Sequence, residues 1–522
     1  MTGSQFLMLA AMCIYLIAMM WIGARLSKKN ETVGDFYLGG RHLGPLVTAM
    51  SAEASDMSSY LLMGLPGVAY LSGMADVGWT VIGLACGTYL NWLLVAKKLR
   101  RYTERTNSIT LPEFFSNRYG DQRHILTGLA AVWIIIFFVP YTASGFAACG
   151  KLFNSLFGVD YHLAMIVSAV VIMFYTTSGG FLAASLTDFI QSIIMTIALL
   201  VVLLFGIWSA GGWDQVVANA KSLPGYLGFT QSYDPVSGTA RPYTALTVVS
   251  TLAWGLGYFG MPHIQLRFMA IESEDKIKLS RRVATVWVVI SMAVAVLIGL
   301  VGNAMTHAGV IKMLSGSASE TVIVRISDVL SHYGILAALV AGVVLSGILA
   351  STMSTSDSQL LAASSSVSND ILIRFLHAHI EEKKLLFISR ISLLTIALIG
   401  VFLAWNPNSS VFGIVSFAWA GFGATFGPVM LLALFWRRSN KYGALAGMAT
   451  GGVMIFIWKY VIRPLGGNFN IYELLPAFVL AILVNVIVSL LTPAPDEEVM
   501  KTFDEVRKRA QFRRGQRKER LS

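Results

Sequence analysis

Thirteen apolar stretches, each long enough to cross a bilayer as a helix, decide what this chain can fold into. They lie at about 5–24, 42–72, 76–96, 124–150, 161–178, 186–210, 244–268, 281–307, 336–368, 386–405, 410–436, 442–461 and 472–492. Hydrocarbon offers no water to the backbone, so such runs must satisfy their own hydrogen bonds as helices. Only 13% of the 522 residues are charged, about half the share of a soluble domain. The sequence therefore predicts an all-α integral membrane protein with 13 transmembrane helices.

Charge fixes the expected orientation. No basic residue precedes the first run, whereas Arg25, Lys28 and Lys29 follow it, as in a retained span whose N-terminus is outside. Thirteen crossings then leave the C-terminus cytoplasmic. Of the 39 basic residues, all but Lys151, Lys221, Arg241, Lys312, Arg325, Lys459 and Arg463 fall on the predicted cytoplasmic side, Arg267 being counted there with the loop that follows it. The expected location is the cell's inner (plasma) membrane. A net charge of +11 could suggest nucleic acid, but the dense run from Arg507 to Arg520 follows a span directly, where basic residues meet anionic headgroups instead. Cys13, Cys86 and Cys149 are odd in number and all in apolar segments, so no disulfide framework is implied.

The organisation predicted is a first span and cytoplasmic loop (1–41), one repeat at 42–210, an extracellular loop at 211–243, a second repeat at 244–436, two further spans at 437–492 and a basic tail at 493–522. Spans two to six and seven to eleven overlay as groups of five in opposite orientation, and each group opens with an interrupted helix. The 211–243 loop, with Pro224, Gly225, Pro235 and Gly238, reads as irregular with at most short helices. Leu111 to Arg118 reads as an amphipathic helix on the membrane surface.

The first interrupted helix, AMSAEASDMSSYLLMGLPG from Ala49 to Gly67, carries Glu53 and Asp56 on one helical face at mid-depth. Acids so deep mark a pathway or site; the plainer alternative is a Ser/Ala-rich packing face with one buried ion pair. Ser51, Ser55, Ser58 and Ser59 can bond freed backbone, and a loosened helix offers carbonyls to a cation and amides to an anion. The second interruption is WGLGYFGMPH, Trp254 to His263, where Gly255, Gly257, Gly260 and Pro262 weaken the helix. Trp254 and Tyr258, four apart beside that break, suit the wall of a small-molecule pocket.

A third signal is LSGILASTMSTSDSQLLAASSS, in which Ser351, Ser354, Thr355 and Ser358 recur at helical spacing around Asp357. Hydroxyls and carbonyls are hard ligands suited to an alkali cation, although small hydroxyl residues also let helices pack closely. Asp188 in SLTDFIQS reads equally as a site acid or as an N-cap or first-turn acid. With no metal cluster, Walker loop or nucleophile elbow, the sequence points away from an enzyme and toward transport driven by an ion gradient.

The motifs LGGRHLGP (Leu38–Pro45), SAEASDMSSYLLMGLPG (Ser51–Gly67), WGLGYFGMPHIQLRFMA (Trp254–Ala270), ILASTMSTSDSQLL (Ile348–Leu361) and FAWAGFGATFGPV (Phe417–Val429) closely resemble the sodium:solute symporter family, above all its bacterial proline-transporting members. The resemblance runs in order through nearly the whole chain. It implies a LeuT-like five-plus-five inverted repeat and sodium-coupled uptake of L-proline by alternating access, with sodium co-transported and no organic cofactor. It further implies a sodium site on the carbonyls of Ala54, Met57 and Ser351 and the hydroxyls of Ser354 and Thr355. The implied substrate pocket comprises Asp56, Ser58, Ser59, Tyr60, Tyr141, Trp254, Tyr258 and Pro262, and Arg41 matches a gating arginine at the cytoplasmic side.

Two departures stand out against that pattern. Ser59-Tyr60 replaces Gly-Trp, and Glu53 replaces glycine, so a different small solute, another amino acid or a carboxylate, is the alternative substrate. Asp357 occupies a place where relatives with a second sodium site carry serine, which suggests a further cation or proton site of Asp188, Ser354, Asp357 and Ser358. A sensor that binds solute without moving it is disfavoured by the short tail. The expected partners are the small substrate, sodium and the lipid bilayer, with no nucleic acid and no obligatory protein partner.

Overall fold

The computed structural model describes residues 2–26 and 32–507. Lys28, Lys29 and the tail beyond 507 lie outside the described residues. Among those described, ten helices are long and apolar enough to cross a membrane, from Gly3–Arg25 to Leu474–Leu491. Two shorter apolar helices, Tyr161–Thr177 and Ala245–Gly260, and the interrupted run from Pro45 to Ser72 fall where the sequence predicts the other spans. Phe6, Ile14, Ile17, Leu204, Phe402 and Leu491 are each more than half exposed, as side chains that face lipid should be.

Both interruptions have local causes. Pro45 opens the first broken helix at a position where its missing N–H costs nothing. The helix fails at Ser58, a non-glycine residue at φ 50°, ψ −168°, then resumes through a wide turn at Tyr60–Gly64 into Leu65–Ser72. In the second, Ala245–Leu252 tightens into a narrow turn over Ala253–Gly260, Met261 is extended, and Pro262 restarts a helix to Ala270. Around these two broken helices pack Ile125–Phe157, Tyr161–Ser209 and the hydroxyl-rich helix Ile335–Ser365, and Gly3–Leu26 lies on the outer side against the last two.

Four expectations need correction. The fifth and sixth spans have no loop of several residues between them; the chain reverses at Gly180, whose φ of 66° a side chain would resist. The 211–243 segment has the short helix that the sequence allows, at Trp213–Ser222, but also an antiparallel hairpin pairing Gln231–Asp234 with Thr239–Pro242 where irregular chain is expected. Leu111–Tyr119 does not lie on the membrane surface. It is buried within the protein on nearly every face, because Arg118 donates to the carbonyls of Ala433 and Trp436 and Glu113 pairs with Arg374. Arg267 does not act as a loop charge either; it is buried in the restarted helix.

Candidate functional site

The break in the first helix turns carbonyls toward the hydroxyl-rich helix. The Ser354 hydroxyl lies 2.9 Å from the Ala54 carbonyl and 3.2 Å from that of Ser351. The buried Thr355 hydroxyl, one residue on, has no hydrogen-bond partner among the described residues. The Met57 carbonyl, beside the break, accepts the N–H of Tyr60. Neutral oxygens from two helices thus gather at one level, a hard donor set that fits an alkali cation and, with no thiol or imidazole, offers nothing to a soft metal.

Half a turn further on, Asp56 ties the two broken helices together. Its Oδ2 accepts the Tyr258 hydroxyl at 2.6 Å, and its main-chain carbonyl accepts that of Tyr141 at 3.3 Å. Ser58 Oγ takes the Tyr60 N–H at 3.1 Å. The hydroxyls of Ser59 and Tyr60 and Oδ1 of Asp56 are buried without partners among the described residues. Aromatic rings close this polar patch: Trp254 stacks on Tyr60 at 5.7 Å and on Tyr472 at 5.0 Å, with Phe412 against both Tyr60 and Trp254. Trp419 donates to the Trp254 carbonyl and sets its ring edge-on to Tyr258. Pro262, one turn past Tyr258, restarts the helix below. The arrangement can hold a small zwitterion, with polar groups at one end and a flat apolar wall at the other.

Both ends of this site are shut. At one end Arg41 donates to the carbonyls of Ser108 (2.6 Å), Met269 (3.0 Å) and Thr103 (3.1 Å), pinning the start of the first broken helix to the segments beside it. Burial, then the neighbouring Arg100, lowers the Arg41 guanidinium to about 10, so it remains charged at neutral pH. At the other end Glu320 pairs with Lys151 at 2.7 Å and accepts the N–H groups of Val411 and Phe412, while its backbone presses on Gly67. With Asp56, Tyr60 and Trp254 all at most 5% exposed, the conformation is occluded.

Asp188, Asp357 and Ser358 do come together, but around a cation that belongs to the chain. Arg267 donates to Asp188 Oδ2 at 3.2 Å, to Ser358 Oγ at 2.6 Å and to Ser51 Oγ at 3.0 Å. Asp188 also accepts from Ser51, and Asp357 from Ser358. Asp188 is no N-cap, since it sits about two turns inside the helix that begins at Gly179. Two buried carboxylates need a positive charge beside them, and the restart at Pro262 delivers Arg267 there.

The profile described as the sodium:solute symporter family matches residues 36–451. The chain belongs to the sodium:solute symporter family. Among members of this family it is similar to the high-affinity proline transporter of Bacillus subtilis (strain 168), with 42% identity over 93% of this chain and 98% of the relative. It is 41% identical to the sodium/proline symporter of Haemophilus influenzae, over 95% of this chain and 96% of the relative. In three dimensions it resembles a Na+-coupled sialic acid symporter in a substrate-bound outward-open state, with a TM-score of 0.76 at 16% identity, over 94% of this chain and 99% of that one. Mhp1, a nucleobase-cation-symport-1 family transporter in a closed conformation, matches at a TM-score of 0.56 and 13% identity, over 90% of this chain and 98% of that one. These likenesses show the LeuT-like fold and a multi-pass membrane protein.

Several groups around the symporter site escaped sequence reasoning. Lys151, Glu320, Phe412, Trp419 and Tyr472 act across long sequence separations, and no local pattern marks them. Trp92 was legible only as an apolar residue, yet its indole N–H donates to Glu53 Oε1 at 2.9 Å.

Proposed function

We propose that this chain is a secondary active transporter that couples inward movement of sodium to uptake of L-proline by alternating access. The observation that carries the reading is the bridge from Ser354 to Ala54, which links the broken helix to the hydroxyl-rich helix through atoms a sodium ion would share. The relatives, a proline transporter and a sodium/proline symporter, support proline and sodium. Ala54, Met57, Ser351, Ser354 and Thr355 hold the ion. Asp56, Ser58, Ser59, Tyr60, Tyr141 and Tyr258 meet the polar end of the amino acid, and its ring lies against Trp254 near Pro262.

In this reading all thirteen spans cross the inner membrane, the N-terminus is outside, and the Arg41 end faces the cytoplasm; the concentration of basic residues in the loops at that end supports this. Residues 42–210 and 244–436 form the inverted repeats. Sodium entering past Glu320 draws the two helices together and orders the pocket, so each ligand tightens the other by the same factor. Release follows when the Arg41 contacts part. The buried positive charge at Asp188, Asp357 and Ser358 is Arg267, so the stoichiometry proposed is carried by the Ser354 site.

A second substrate reading, another small amino acid or a carboxylate, is favoured by Ser59 and Tyr60, whose unpaired hydroxyls add polar groups to the pocket. The test is labelled L-proline uptake into proteoliposomes under an inward sodium gradient, compared with potassium, with Asp56→Asn as control. Sodium-dependent uptake lost in the variant supports proline. Sodium stabilisation without proline uptake moves the assignment to the alternative solutes.

A further inference from the structure

Trp254, the candidate apolar wall of the pocket, is held by a residue that belongs to neither proposed repeat. The last two long helices, Lys441–Ile457 and Leu474–Leu491, lie beyond residue 436, and Tyr472 stands in the turn that leads into the second of them. Among the described residues four rings meet the Trp254 indole: Tyr472 at 5.0 Å, Phe412 at 5.6 Å, Tyr60 at 5.7 Å and Trp419 at 6.4 Å. Tyr472 is the nearest and, at 18°, the most nearly parallel. Tyr60 is itself a pocket residue, and Phe412 and Trp419 sit on Val411–Phe435. Tyr472 alone of the four comes from outside the repeats.

Main chain and side chain both tie Tyr472 down. Its N–H donates to the Ser250 hydroxyl at 2.7 Å, and its own hydroxyl donates to the Ser416 carbonyl at 2.7 Å, so one residue joins the second broken helix to Val411–Phe435. Ser250 lies on Ala245–Leu252, which runs directly into the narrow turn that carries Trp254. The next residue, Glu473, is 1% exposed and pairs with Arg463 at 3.1 Å and with Lys459 at 4.0 Å, so its buried charge is compensated and the turn is held to the segment before it. One residue on, Leu474 packs so closely that a Cβ at Gly423 would strike both its side chain and the Gly257 backbone. Tyr472 itself is only 9% exposed.

We propose that Tyr472 is a positioning residue of the substrate pocket and a determinant of substrate size: its ring sets how far Trp254 can withdraw, and with that the room left for the ring of an amino acid. A buried ring removed from a close-packed site leaves a space that its neighbours fill only in part. Trp254 is the neighbour best placed to move into it, since its backbone lies in the narrow turn Ala253–Gly260, followed by the extended Met261, and not in a regular α-helix. A withdrawn Trp254 loses contact with a small substrate ring and admits a larger one. The inference rests on the transport reading given above.

The experiment is sodium-driven uptake of labelled L-proline by the full chain in proteoliposomes, with competition by unlabelled L-proline and by L-pipecolate, its homologue larger by one methylene. Tyr472→Leu should weaken L-proline about 2- to 12-fold, the worth of an aromatic pair. It should also lower the preference for proline over pipecolate by about fivefold or more, as one methylene in an apolar pocket allows. Tyr472→Phe keeps the ring and should keep both values. Tyr472→Trp adds volume, should shift the preference the other way, and decides alone if the leucine variant does not fold. In a Trp254→Leu background Tyr472→Leu should change the preference no further, since it acts through that ring. A preference unmoved in Tyr472→Trp or in a folded Tyr472→Leu, whatever happens to the maximal rate, overturns the proposal. So does a phenylalanine variant that behaves like the leucine one, or a full effect of Tyr472→Leu without the Trp254 indole. Wild type that takes up no L-proline under a sodium gradient overturns instead the transport reading beneath it.

Discussion

Lys151 and Glu320, 169 residues apart, form a 2.7 Å ion pair buried over one end of the site. Glu320 also accepts the Ser410 hydroxyl and two N–H groups at the start of the Val411–Phe435 helix, where a carboxylate offsets the helix dipole. Removing one partner strands a buried charge. Lys151→Met should therefore lower stability by about 3–5 kcal/mol, and Lys151→Met with Glu320→Gln by less than the sum of the single changes. Thermal unfolding of the four proteins in one detergent checks this; strict additivity would mean that the pair is not coupled.

Ser354 spans the two helices of the proposed sodium site with a single hydroxyl. Ser354→Ala deletes that oxygen and keeps the helix, and loss of one ligand worth about 1.4–3 kcal/mol should raise the sodium concentration for half-maximal uptake about 10- to 150-fold. Thr355→Ala, which removes a hydroxyl without a hydrogen-bond partner among the described residues, should do the same with little loss of stability. The measurement is sodium dependence of uptake at fixed substrate, set beside the melting temperature without sodium.

Composition and periodicity make the membrane class and the run of spans readable, because a bilayer demands long apolar helices whatever their neighbours are. The two breaks are readable too, since Gly255, Gly257, Gly260 and Pro262, and the serines around Asp56, weaken a helix locally. Arg267 was misread because the next basic residues in sequence, Lys276 to Arg282, stand at the start of the following span, and only the fold carries Arg267 to Asp188. The Lys151–Glu320 pair, the aromatic lid of Phe412 and Tyr472, and the burial of Leu111–Tyr119 are products of distant packing. The hairpin from Gln231 to Pro242 was hidden by turn residues that also suit an irregular loop.

Gly257 lets the second broken helix lie against Trp419. A Cβ there would run into the Trp419 indole, whose N–H holds the Trp254 carbonyl. Gly257→Ala should displace Trp419 and with it Trp254, costing about 1–3 kcal/mol by overpacking. Intrinsic tryptophan fluorescence and substrate affinity should change together, and a smaller residue at Trp419 should restore part of the affinity.

His124 begins the Ile125–Phe157 helix at a φ of 53° and faces His377 at 5.7 Å. Burial, followed by the charge of Arg374, lowers its imidazole below the ordinary value. The folded state thus resists the proton that the unfolded chain accepts near 6.5. Stability from this group is intact above about pH 6.5 and declines as pH falls from there toward the folded value. His124→Gln should flatten the acid side of the melting-temperature profile below about pH 6.5, and an unchanged slope would assign the loss to other groups.

Tyr258 meets Asp56 at 2.6 Å across the two broken helices, and both are buried. Tyr258→Phe keeps the ring against Trp419 and removes only the hydroxyl, so it separates hydrogen bonding from packing. A hydrogen bond to a charged group is worth about 1.5–3 kcal/mol, which predicts a loss of substrate affinity of about 10- to 150-fold. Sodium affinity without substrate should change far less, because the oxygens at Ala54, Ser351 and Ser354 do not involve Tyr258. Reciprocity then sets a second check: substrate should lose the same factor in its effect on sodium binding as sodium loses in its effect on substrate. Equal factors in Tyr258→Phe and wild type would mean that Asp56 orients substrate without linking it to the ion.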